Sequence, residues 1–294
     1  MISGKTESAV FFGTGPVAAK SLELLAKHTT IEAVVTKPKP PHHRGSVPVI
    51  ETATSLGLPI VTAMNKQNLD EVMAEQIFSS RYAVLIDFGI IVSRNVIDTF
   101  ELGIINSHFS LLPRLRGADP ISWSIANGDN KTGVSLMLID EGMDTGKLIA
   151  QKSFSLDKTE TTPTLTDELI TLSDTLLQSH VPRYLSGEIT AHSQPHPDRA
   201  TYSRKLTKSD GVINLDEPAE LIEQKIRAFL DWPQSRTKIG AVEVIITKAH
   251  TSATPELLSL KCGDGNHLSV DTLKPLGKKE MPITAFLAGY KDRI

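Results

Sequence analysis

Between residues 9 and 185 short apolar runs alternate with amphipathic stretches, and no other feature restricts the fold of this chain as much. Residues 9–12 (Ala-Val-Phe-Phe) read as a buried strand, 17–28 as a helix and 31–36 as a second strand. Pro38, Pro40 and Pro41 then impose a loop. The same grammar continues with helices at 47–56 and 69–78, strands at 59–61, 83–86, 103–106, 133–139 and 148–154, and a long amphipathic helix at 164–185. Strands spaced by helices form βαβ units, so the expected fold is α/β, a Rossmann-like domain with a mostly parallel sheet.

The pattern breaks at residues 190–200, where two prolines and little apolar content read as a linker. A helix is expected over 217–230, followed by short β-rich runs at 235–239, 242–247, 257–260 and 267–273 with Gly and Asp turns between them, as in a small β-barrel. At 294 residues a chain is near the size at which one core divides. The expected division is a catalytic domain over 1–189, a linker over 190–203 and a second domain over 204–294.

Composition narrows the chemistry. The chain is 40% hydrophobic and 22% charged, as in ordinary globular enzymes, and its single Cys262 excludes an intrachain disulfide scaffold and a Cys-rich zinc site. The apolar run at 9–12 is too brief for a signal sequence or a membrane span, which points to a cytoplasmic protein. The net charge of -3 conceals a split: residues 1–200 balance at -5 and residues 201–294 at +2. Nothing in the total announces a nucleic-acid partner.

Several clusters carry chemical potential. Gly13-Thr14-Gly15-Pro16-Val17-Ala18 formally fits a dinucleotide fingerprint, but the end of the second strand offers Thr36 and Lys37 where a ribose-binding acid belongs, which favours a plain strand-to-helix turn over NAD. Asn106 and His108 lie two residues apart at the carboxyl end of a strand, on one face, where open α/β sheets place ligands. An Asn amide can donate to an oxygen gaining charge, and His can move a proton near neutral pH; on spacing alone a structural histidine is the commoner case. Asp140, Glu141 and Asp144 crowd a Gly-containing turn; a carboxylate from it beside His108 would favour imidazolium and orient the ring.

The set Asn106-x-His108, Ser110-Leu111-Leu112-Pro113, Arg116-Gly117, Thr132-Gly133-Val134 and Met143-Asp144-Thr145-Gly146 resembles the folate-dependent formyltransferases. Phe12-Gly13-Thr14, Arg44-Gly45, Tyr202-Ser203-Arg204-Lys205-Leu206, Ile226-Arg227-Ala228-Phe229, Trp232-Pro233 and Gly277-Lys278-Lys279 extend the likeness along the chain and resemble the branch of the family that acts on charged initiator tRNA. The resemblance implies an OB-like second domain that binds tRNA, and transfer of the formyl group of 10-formyltetrahydrofolate to the amino group of methionyl-tRNA by a monomer, with no metal, no NAD and no membrane partner. It assigns Asn106, His108 and Asp144 to catalysis, and Ser110, Leu111, Leu112, Pro113, Phe88, Gly89 and Ile90 to the folate. Asp87 departs from the small residue usual before that stretch.

By the same resemblance the basic loop around Lys37, Lys39 and Arg44 meets the tRNA acceptor stem. Arg114 and Arg116 flank the site and read as orienting substrate or loop, while Lys205, Lys278 and Lys279 suit phosphate contacts and ordinary surface charge equally. A short basic loop is also ordinary solvated surface. The rival enzyme reading is a formyltransferase acting on a small amine, glycinamide ribonucleotide or an amino sugar nucleotide, which shares the Asn, His and Asp set. A catalytically silent RNA-binding module is the alternative from another class.

Overall fold

The computed structural model describes residues 7–41, 45–252 and 258–294. These divide into two compact units. The first falls within Met1–Arg116, Gly133–Phe154 and Glu168–Thr201, and the second within Gly117–Thr132, Ser155–Asp167 and Tyr202–Ile294.

In chain order the elements are β1 (Ala9–Phe12), α1 (Pro16–Leu25), β2 (Ile31–Thr36), α2 (Pro48–Ser55), β3 (Ile60–Thr62), α3 (Lys66–Ala74), β4 (Tyr82–Leu85), α4 (Arg94–Ile97) and β5 (Ile104–His108). Then come β6 (Arg116–Gly117), α5 (Pro120–Ala126), β7 (Lys131–Leu138), β8 (Leu148–Ser155) and α6 (Thr162–Leu185). The remainder holds β9 (Tyr202–Ser203), α7 (Ala219–Ala228), β10 (Ser235–Ile239), β11 (Val242–His250), β12 (Ser259–Lys261), β13 (His267–Pro275), β14 (Met281–Pro282) and α8 (Ile283–Gly289).

The first unit is built on a seven-stranded sheet in the order β3-β2-β1-β4-β5-β7-β8. The strands from β3 to β5 run parallel, and β7 returns antiparallel to β5, so the expectation of a mostly parallel Rossmann-like sheet holds. β1 and β4 are buried along their whole lengths, which is why both read as unbroken apolar runs rather than alternating ones. Val10, Phe12, Ala83 and Leu85 pack on Leu69 and Met73 of α3 and Val96 and Ile97 of α4. Phe12 meets Phe88 and Phe100 edge-on at 5.3 and 6.1 Å. Helix starts follow local chemistry: Pro16 opens α1, and the Asn65 side chain caps α3 by accepting from the Asn68 amide.

The strand order reverses between β1 and β4, each of which has a parallel neighbour on either side. The loops beyond their carboxyl ends, with the end of β5, therefore border the crevice where such sheets bind ligands. Gly13 is obligatory there, because a Cβ on it would lie 2.5 Å from the Ala18 Cβ.

The second unit is an antiparallel sheet in the order β10-β11-β13-β12, with β14 on β13, making an open half-barrel of the OB-like kind expected. Register shifts in β11 at Ile246–Ala249 bend the strand around its core. Ala219, Ile222 and Ile226 of α7 and Ile283 and Phe286 of α8 fill that core. Helix α5 belongs here too: Trp123 meets Phe229 edge-on at 6.3 Å, and the Asp119 carboxylate accepts from the Leu206 amide at 2.8 Å.

The compact units are discontinuous in sequence. Residues 190–201 are tied down by backbone bonds. His192 and Leu148 exchange both backbone hydrogen bonds, at 2.7 and 2.9 Å, and Thr201 donates from its backbone to Pro113. A short Pro-containing stretch can be held by backbone bonds that composition does not reveal.

Candidate active site

Strand alternation sends Asn106 and His108 to one face of β5 and Ser107 to the other, where its hydroxyl meets Ser173 of α6 at 2.6 Å. Asn106 and His108 are each 7% exposed, buried but reachable. His108 Nε2 lies 2.8 Å from the Leu115 carbonyl, which can only accept, so Nε2 carries the proton and donates. That bond fixes the ring and turns Nδ1 toward Asp144, whose Oδ2 lies 3.7 Å away. The distance is too long for a hydrogen bond and within ion-pair range when the ring is protonated.

Three non-glycine residues around this face take left-handed backbone: Asp87 (φ 48°), Leu115 (φ 54°) and Asp144 (φ 52°). Such conformations are uncommon outside glycine and persist where the surroundings hold them. Asp140 braces the Asp144 turn, its carboxylate accepting from the Gly142 amide at 3.0 Å and the Thr145 hydroxyl at 2.7 Å. A Cβ on Gly146 would fall 1.7 Å from the Leu138 carbonyl, so only glycine lets the turn lie against β7.

The Ser110–Pro113 loop is stitched from below by residues that sequence reasoning did not single out. Ser135, opposite His108 in the β5–β7 register, donates to the Ser110 carbonyl at 2.6 Å and accepts from the Leu112 amide at 3.1 Å. Gln151 donates to Ser135 Oγ and to the Leu112 carbonyl, both at 2.9 Å. Leu112 is buried against Met137 and Leu148, so the loop offers backbone and the half-buried Leu111 and Pro113 rather than the Leu112 side chain. The Ser110 hydroxyl is spent on the Arg114 carbonyl at 2.6 Å.

Across the crevice, the Thr14 hydroxyl reaches the carbonyls of Asp87 and Phe88 at 2.8 and 2.9 Å. Phe88 turns its ring into the core, leaving only its backbone for a ligand, while Gly89 is exposed, Ile90 half-buried and Ile91 exposed. The Asp87 carboxylate lies over Gly15, its Oδ2 2.2 Å from where a Cβ would be. An anionic pyrophosphate approaching that glycine turn would meet a fixed negative charge.

The residues named for tRNA differ in their surroundings. Lys37 is half-buried and donates to the Gly89 carbonyl at 3.0 Å, which ties it to the crevice loop. Arg116 is 5% exposed and donates from Nη2 to Gln194 at 2.7 Å, so it is an internal group rather than a surface cation. Arg114 is half-buried, and Lys39, Lys205, Lys278 and Lys279 are exposed. Arg44 lies outside the described residues. In the second unit Arg204 stacks over the Trp123 ring at 5.0 Å, and its guanidinium grips both oxygens of Asp210. Those bonds to Arg204 hold the Asp210 carboxyl far below the usual carboxylate range, with help from the Thr207 hydroxyl and amide.

Cys262 is buried, and burial together with the nearby Asp264 charge pushes its thiol pKa up, away from thiolate chemistry. Among the described residues no group of three His, Cys, Asp or Glu side chains converges as a metal site, and no helix is long and apolar enough to cross a membrane.

Residues 7–181 match the model of the formyl transferase family, and residues 205–291 match that of the formyl transferase C-terminal domain. A methionyl-tRNA formyltransferase of Myxococcus xanthus is 33% identical over 299 residues, covering 96% of this chain and 95% of that protein. One of Halorhodospira halophila is 35% identical over 302 residues, covering 96% of each. Among solved structures, an N-formyltransferase from Helicobacter canadensis in complex with folinic acid and dTDP-3-aminofucose aligns with a TM-score of 0.68 at 20% identity, over 90% of this chain and 98% of that one. A methionyl-tRNA formyltransferase from Clostridium thermocellum aligns at 0.58 and 16% identity, over 92% and 99% of the two chains. At those identities the solved structures attest the fold.

Proposed function

The chain belongs to the formyl transferase family, within its methionyl-tRNA formyltransferases, and from that premise we propose that it moves the formyl group of 10-formyltetrahydrofolate onto the α-amino group of methionine carried by initiator tRNA. The observation that carries the reading is that Asn106 and His108 share one buried face of β5 with the Asp144 carboxylate 3.7 Å from His108, the two nitrogens of His108 having different partners.

The crevice loop fits a reduced folate. Gly89 is exposed beside the half-buried Ile90 and exposed Ile91, bare backbone next to apolar side chains, which suits a flat heterocycle. The donor supplies a formyl carbon bonded to a nitrogen. Asn106 offers an amide N–H to the formyl oxygen as negative charge gathers on it. His108 has Nε2 committed to Leu115, so Nδ1 relays the proton from the attacking amine toward the departing folate nitrogen, directly or through water. Asp144 stabilises the ring whenever it is charged. No covalent enzyme intermediate is needed.

The exposed cations Lys39, Lys205, Lys278 and Lys279, with Arg44, are assigned to tRNA phosphates, and residues 204–294 to tRNA binding. Lys37, which donates to the Gly89 carbonyl, and Arg116, which donates to buried Gln194, are kept out of this assignment.

The test supplies the protein with 10-formyltetrahydrofolate and three acceptors in parallel: methionyl-tRNA, glycinamide ribonucleotide and an amino sugar nucleotide. Formylation of methionyl-tRNA alone is expected. Transfer to either small amine in its place would overturn the assignment.

A further inference from the structure

Gln194 lies in the Pro-containing stretch that composition marks as linker, yet it is 6% exposed and uses every part of its amide. Its Nε2 donates to the Asp144 carbonyl at 2.8 Å and to the Gly146 carbonyl at 2.9 Å. Its Oε1 accepts from Arg116 Nη2 at 2.7 Å. Only this orientation of the amide works, since the reverse would aim its oxygen at two carbonyls and its N–H groups at a guanidinium. The backbone exchange between His192 and Leu148, two residues earlier, fixes where the side chain begins.

Two carbonyls two residues apart can converge on one amide only if the chain between them is tightly turned. The turn here has Asp144 in left-handed backbone, and the same backbone sets the direction in which its carboxylate leaves the chain, toward His108 Nδ1. Asp144 is therefore held by its own main chain, through a side chain about fifty residues later. Arg116 backs the clamp from behind, and the bond from a buried guanidinium polarises the amide and strengthens its donors.

We infer that Gln194, seated on Arg116, is a positioning residue that holds Asp144 in its working orientation toward His108. This rests on the reading that Asp144 assists His108 in formyl transfer. Gln194 touches no reacting atom itself.

Two variants separate its contacts. Gln194→Ala removes the clamp, whereas Gln194→Glu keeps an acceptor for Arg116 and replaces the two donors with an oxygen that repels the carbonyls. Both are expected to lower kcat at least tenfold while the KM values for methionyl-tRNA and the formyl donor stay within twofold. In an Asp144→Ala background, Gln194→Ala should change the residual single-turnover rate by less than twofold, as when one residue acts through another. Amide hydrogen exchange over residues 140–147 should rise in both variants, with that of β1 and β4 unchanged. A Gln194→Ala kcat within twofold of wild type, the same loss in the Asp144→Ala background, or unaltered exchange over 140–147 would each overturn the clamp. Wild-type protein that formylates no methionyl-tRNA would instead overturn the functional reading, with the exchange experiment still deciding the clamp.

Discussion

Ser135 offers the sharpest test of how the crevice is held. Its hydroxyl is fully buried and satisfies the Ser110 carbonyl, the Leu112 amide and one N–H of Gln151. Ser135→Ala leaves the two backbone groups without that partner, while Gln151 keeps its bond to the Leu112 carbonyl. An orphaned buried polar group costs about 1–3 kcal/mol, so two of them, with some relaxation of the loop, should destabilise the first unit by about 2–4 kcal/mol. Urea unfolding followed by far-ultraviolet circular dichroism measures the loss by linear extrapolation. Trp123 and Trp232 both lie in the second unit, so their emission is an internal reference for it. The loosened loop should also raise KM for the formyl donor more than KM for the acceptor. A loss below about 1 kcal/mol together with an unchanged donor KM would refute the claim that this hydroxyl holds the loop.

His108→Ala should lower kcat by about 10²–10⁴-fold, the range for a lost proton-transfer group, while a filter-binding measurement finds tRNA affinity retained; near-normal turnover would sink the proposed relay. Asn106→Ala should cost about 10²–10³-fold in kcat, read in the same formylation assay, and a change confined to KM would remove Asn106 from charge stabilisation. The Asp210 carboxyl is depressed in the folded protein, so the stability it lends is present above the unfolded value of about 3.9 and disappears as pH falls through the lower folded value. Asp210→Asn should therefore lower the second unit's urea midpoint at pH 6 and flatten its fall on acidification; parallel pH profiles for variant and wild type would contradict this.

Much of this molecule was legible in residue order. Strands β1, β2 and β10 coincide with their apolar or β-rich runs, and the contiguous segment from Asn106 to Arg116 carries both Asn106 and His108 and the loop beside them. Helices α4, α5 and α8 have four to seven residues, too few for a 3.6-residue period to declare itself. Ser135 was invisible for another reason: its importance lies in the antiparallel pairing that sets it opposite His108, which no local window contains. Lys37 reads as a loop cation and Arg116 as a residue orienting substrate or loop, because charge alone does not tell which carbonyl or amide awaits it. The motif containing Phe88 does not tell that its ring serves the core.

The discontinuous second unit also has a consequence in time. Trp123 of α5 leaves the ribosome about a hundred residues before its partner Phe229, which at roughly 5–20 residues per second is a wait of several seconds or more. During that interval the indole and the buried face of α5 have no α7 to cover them. The order of synthesis therefore gives the nascent chain a transiently apolar segment, and the last ninety residues complete a unit that was begun before them.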